Sequence, residues 1–242
     1  MNPEKIHKKN IDFLIQSSRR DLTEWLLKGE NLSPIQYKDD RSSPLLLSNT
    51  LQDITVFRRP LIIEKVNGAV CDAILEWQPE VQGNEILGDL AYLAALTRNT
   101  NALSDLIHHV DNHTIIPSKP DDNTESVVIA VIGGFAPDAR AEEALRRWWD
   151  DDTFNWQYKA ILFTGLLACN HRNITELLPS FLSILTDHSD YFRVDYVTAE
   201  AARIIGPDEL EKALKPFNNE AALHLRSYIP MVRELASTPD EG

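Results

Sequence analysis

His109 and His113 stand four residues apart, with His108 and Asp111 beside them, and on a helix that spacing puts two imidazoles on one face. Two histidines so placed are half of a zinc-binding helix. No glutamate follows the first histidine, however, and the helical pattern ends near Asn112. Histidines in a last turn also favour the negative helix end, so a structural role suffices and no metal is expected. Cys169, Asn170 and His171 suggest a thiolate–imidazole pair, but residues two apart do not face each other on a helix. Cys169 belongs to an apolar run, and the expectation is a structural thiol. Asp187, His188 and Asp190 fall in a turn, where polar side chains satisfy backbone groups. No order of Ser, His and Asp fixes a triad. Gly133-Gly134 alone is no phosphate loop, so neither an enzyme nor a bound cofactor is expected.

The stretch WWDDDTFNW, residues 148–156, is different. Three consecutive carboxylates, Asp150, Asp151 and Asp152, lie between Trp149 and Trp156. An indole beside carboxylates is a feature of binding hot spots for basic partners. The alternative is packing: Ala141, Ala144, Leu145 and Trp148 form an apolar stripe, and Trp149, one step off it, could wrap onto a neighbouring helix. Asp150 to Asp152 oppose the dipole at one helix end but favour the start of the next, so a turn role also accounts for them.

The elements that must position these residues recur. NWQYKAILFTGLLACNHRNITELL (155–178) and DYFRVDYVTAEAARIIGPDELEKAL (190–214) each read as helix, break, helix, about 36 residues apart. In register, Trp156 falls on Phe192, Phe163 on Ala199 and Cys169 on Ile205, and one step back Val127 falls on Phe163. First helices therefore end near Gly134, Asn170 and Gly206, with a weaker match at Asn99. The second helices follow at 101–112, 138–149, 173–186 and 207–217. Gly206 suits a left-handed cap and Pro207 a first turn. Pro137-Asp138 repeats the device, and Asn173 with Glu176 stands at capping-box distance. Leu178, Phe181, Leu185, Ala160, Phe163, Leu167, Ala202 and Ile205 take inward positions and should be core.

Upstream, 61–77 reads as a helix with Ile62, Val66, Val70, Ala73 and Trp77 near one face, and 44–58 as a further helix with a strand as the alternative. Ile11, Leu14, Ile15 and Leu22 suit an amphipathic helix. Segments 29–43 and 114–126 read as loops, and STPDEG as a frayed tail.

The stretch 120–225 resembles the HEAT-like helical repeat superfamily, on the aromatic–polar–small pattern of its first helices (Trp156 with Lys159-Ala160; Phe192-Arg193 with Thr198-Ala199) and the Gly206-Pro207-Asp208 break. That resemblance implies an all-α superhelix of antiparallel helix pairs, a right-handed solenoid. One domain over 1–242 would carry less regular helices in 1–80 and repeats over 84–225. It implies no shared chemistry. In such folds second helices commonly line a concave binding face, which makes Asp105, His108, Glu142, Glu143, Arg146 and Glu176 candidate contacts. Some HEAT-like proteins of this size are DNA glycosylases, and Trp148, Trp149, Asp152 and Trp156 are similar to an aromatic–carboxylate base pocket.

Charge bounds the partners. With 24 Lys and Arg against 37 Asp and Glu, the net charge is −13. That field repels phosphate backbones, against nucleic acid and the glycosylase alternative, and attracts basic proteins, although solubility alone would also explain it. Two cysteines build no disulfide framework, and Val127 to Ala136, the longest apolar run, is far short of the roughly 18 residues of a membrane span. The expectation is a cytoplasmic, non-enzymatic solenoid that binds another protein through Trp149, Asp150–Asp152, Glu142, Glu143 and Arg146. A narrower form is an acidic inhibitor or immunity protein for a basic toxin or nuclease.

Overall fold

The computed structural model describes residues 12–28, 59–117, 122–186 and 194–237; the expected helix at 44–58, the loop at 29–43 and most of the C-terminal tail lie outside them. All regular structure among the described residues is helical, as the glycine-poor, three-and-four-spaced pattern implies. The chain divides into two compact units, residues 1–135 and 136–242.

The first unit holds α1 (Arg19–Leu27), α2 (Pro60–Glu76), the single turn α3 (Pro79–Gln82), α4 (Asn84–Leu96), α5 (Leu103–Asp111) and α6 (Thr124–Gly133), and α2 packs against α1, α4 and α5. The expected N-terminal amphipathic helix is broken. Ser18 caps α1 in a capping box with Asp21, separating helical residues 12–16 from it, and Ile15 is exposed while Leu14 and Leu22 are buried. In α2, Val66, Val70, Ala73 and the following Trp77 are buried as the spacing predicts, with Ile62 half-buried. α4 and α6 lie side by side, with Gly88 of α4 facing Thr124 and Val127 of α6.

The second unit holds α7 (Ala139–Asp150), α8 (Trp156–Cys169), a 3-10 turn (His171–Asn173), α9 (Ile174–Thr186), α10 (Val194–Ile205), α11 (Pro207–Leu214) and α12 (Glu220–Ser237). α8 is central. It packs against α7, α9 and α10, and burial of Ala160, Leu162, Phe163, Leu166 and Leu167 leaves it little solvent face. Phe163 stacks on Phe181 of α9 with ring centres 4.3 Å apart and 11° between planes.

The expected breaks are present. Three first helices end at Gly133, Cys169 and Ile205, each 36 residues after the last. The caps differ in detail. Gly206 has φ +90° but ψ 143°, an extended positive-φ conformation that favours glycine and not a left-handed cap. Asn173 is no N-cap: it closes the 3-10 turn, and Asn170 accepts from Arg172 N–H instead. α11 ends three residues early because Pro216 has no N–H to continue the ladder. Ile205, expected in the core, is half-buried, whereas the other seven are buried.

Candidate functional site

The end of α7 holds the aromatic–acidic cluster. Asp138 caps the helix start by accepting from Arg140 N–H at 2.9 Å, and Ala141, Ala144, Leu145 and Trp148 form its buried stripe. Trp148 is 3% exposed and packs on Phe154 at 6.1 Å, itself edge-on to Tyr158. Trp149 is half-buried, Asp150 and Asp152 are exposed, and Asp151 is half-buried with Oδ1 accepting from Thr153 N–H at 2.8 Å. Asn155 then caps α8, taking the Gln157 N–H at 2.9 Å.

What fixes this turn is Lys159. It is 7% exposed, and its Nζ donates to the carbonyls of Trp148 (3.1 Å), Asp151 (2.8 Å) and Trp149. Three carbonyl acceptors require three N–H bonds, which only the ammonium form has. Burial pushes the Lys159 pKa below its ordinary value, while Asp152, Asp151 and Asp150 pull it back up. The ammonium lies 5.8 Å from the centre of the Trp149 ring. The charge conflict expected of three aspartates at a helix C-terminus is thus resolved by a buried cation from the next helix. In the sequence Lys159 stands as the polar member of the Trp156, Lys159-Ala160 pattern, inside the run YKAILF, with nothing there to announce its carbonyl partners.

Of the remaining candidates on α7, Arg146 is tied into the fold. Arg146 donates to Glu176 Oε1 (3.0 Å) and to Asn173 Oδ1 (2.8 Å) and lies 3.6 Å from Glu142. Asn173 in turn donates to the Leu166 carbonyl at 2.8 Å. Arg146 therefore bridges α7 to the start of α9, and Glu176, expected in a capping box, is its ion partner. Glu143 pairs with Arg147 at 3.8 Å. These exposed pairs add little stability, yet they neutralise the middle of α7 and leave Asp150 and Asp152 as its exposed negative end.

Among the described residues, the His109 and Cys169 motifs are engaged in packing. His109 Nε2 lies 3.1 Å from the Ile74 carbonyl and Nδ1 lies 2.8 Å from Thr114 Oγ1, so both ring nitrogens are engaged. Its ring meets Trp77 edge-on, and burial lowers its pKa. No group of three His, Cys, Asp or Glu side chains among the described residues is placed to hold a metal ion. Cys169 is half-buried with its thiol pushed up to about 11, first by desolvation and then by Glu142, which is the reverse of an activated nucleophile. Asp187, His188 and Asp190 lie outside the described residues. Asp89 on α4, which sequence reasoning missed, is 8% exposed, and burial, helped by Glu85, raises its pKa to about 6.

No helix among the described residues is long and apolar enough to cross a membrane. No protein-family model, curated protein or solved structure matches the chain.

Proposed function

We propose that this chain is a non-enzymatic helical-repeat protein that binds a basic protein partner, with the end of α7 as a docking point. The observation that supports this reading is the Trp149–Asp150–Asp152 corner held by Lys159. A half-buried indole beside two exposed carboxylates sits on a turn whose backbone is clamped by a buried cation. Pre-organisation of that kind lowers the entropy lost on docking, and the net charge of −13 favours encounter with a basic surface. Glu142, Glu143 and Arg146 would shape the edge of the patch. A superhelical stack of the repeats over 84–225, as in HEAT-like proteins, would present it on an extended face.

The net charge also supports the narrower reading of an inhibitor or immunity protein for a basic toxin or nuclease. The test of both is capture from the native host at low salt by wild type and by Asp150→Asn/Asp152→Asn. A basic partner eluted by salt and captured less well by the variant supports docking at this corner. A captured nuclease silenced by the wild-type chain supports inhibition. Capture of no partner contradicts both. Binding to duplex DNA at low salt would instead favour the glycosylase alternative, which is hard to reconcile with a Trp148 buried at 3% exposure and an Arg146–Arg147 pair tied to glutamates.

A further inference from the structure

A second site lies in the same unit, away from the aromatic–acidic corner. Between α9 and the segment of α11 that runs on to Phe217 lies a groove of about 400 Å³, lined by Leu178, Pro179, Ala213, Pro216 and Phe217 together with the charged pair Glu209 and Lys212. The two proline rings are rigid, so an apolar chain packed against them would freeze few side-chain rotors. Lys212 stands at the groove's edge and also lines a second cavity of about 400 Å³, with Lys215 and Arg226. Volumes of this size and apolar walls with a few convergent polar groups suit a small ligand.

The charge around Lys212 sets the ligand's polarity. Asp208 and Glu211, the carboxylates of the second cavity, each accept from Arg233 at 2.6 Å. Arg226 spends its guanidinium on the backbone carbonyls of Ala222 and Phe217, so its charge meets no carboxylate there. Lys212 reaches Glu209 at a long 3.4 Å with its side chain 76% exposed, and Lys215 is exposed. Residues 206–237 hold four Lys and Arg against five Asp and Glu, which leaves nearly all of the net −13 elsewhere in the chain. We propose that the α9–α11 groove binds a single-chain anionic amphiphile such as a free fatty acid, its apolar chain on Leu178, Ala213 and Phe217 and its carboxylate at Lys212, the residue shared with the second cavity, where Lys215 adds a further positive charge.

The test is calorimetric titration of the full chain with monomeric decanoate and, separately, decyltrimethylammonium, which has a similar tail and the opposite charge. Saturable one-to-one binding of decanoate is expected, at least about tenfold tighter than the cation, a difference of 1.4 kcal/mol. Lys212→Glu/Lys215→Glu, at exposed positions and checked for an unchanged thermal melt, should weaken decanoate at least tenfold. Ala213→Trp should abolish binding by filling the groove. Equal affinity for both head groups, no saturation at about 1 mM, binding unaltered in the lysine variant, or binding only to anionic vesicles would each overturn the proposal.

Discussion

Replacing Lys159 with Met keeps most of the apolar stem and removes the ammonium, so the substitution isolates the clamp on the end of α7. Three carbonyls, of Trp148, Trp149 and Asp151, lose their donor. Hydrogen bonds from a charged donor contribute about 1.5–3 kcal/mol each, but the buried ammonium itself costs several kcal/mol of desolvation. The difference leaves an expected loss of about 2–4 kcal/mol. Urea unfolding followed by circular dichroism reads it directly, with an unchanged slope confirming that the denatured state is unaltered. Lys159→Arg should not rescue, because a planar guanidinium cannot aim three donors at carbonyls around one point. A loss below about 1 kcal/mol for Lys159→Met would refute the reasoning and mean that water satisfies those carbonyls.

Phe163→Ala should cost about 3–5 kcal/mol in the same assay, because Phe163 is 1% exposed and stacked on Phe181; under 1 kcal/mol would place it wrongly in the core. Asp89→Asn should stabilise. The carboxyl's pKa rises from 3.8 to about 6, so the folded state holds the proton more tightly, and the cost grows as pH rises through that window and is complete above it. The full linkage is at most about 3 kcal/mol and partial hydration lowers it, so a gain of about 1–2 kcal/mol at pH 7.5 should vanish near pH 4 in urea titrations at both pH values. Asp151→Asn/Asp152→Asn should change stability by less than about 1 kcal/mol, since an asparagine at 151 can still accept from Thr153 N–H. The same variant should associate more slowly with the partner and with a shallower salt dependence, read by stopped-flow.

The helix boundaries were legible because their signals are local. Gly206-Pro207 and Pro137-Asp138 punctuate the chain within a few residues, and apolar spacing marked the buried stripe of α7 and the buried face of α2. What escaped was long-range. Asn173 looks like a cap beside Glu176, but Arg146, 27 residues earlier, claims both side chains. Lys159 bonds only to backbone carbonyls of the preceding turn, so no complementary side chain announces it. Ile205 kept the right register yet lies in the last turn of α10, where burial falls away. Of the candidate site, the pattern offered Trp149 and the aspartates; the Glu142–Arg146 and Glu143–Arg147 pairs follow from their spacing on one helix, whereas the tie from Arg146 to Glu176 and Asn173 needed coordinates.

Docking at Trp149 is tested most directly by the dissociation constant of the captured partner for wild type and for Trp149→Ala, measured by interferometry with the variant's fold verified by its thermal melt. A half-buried indole acting as anchor predicts a loss of at least about 2 kcal/mol, some thirtyfold or more, mainly in the dissociation rate. An unchanged constant in a folded Trp149→Ala protein would contradict the account and make the corner a piece of turn architecture.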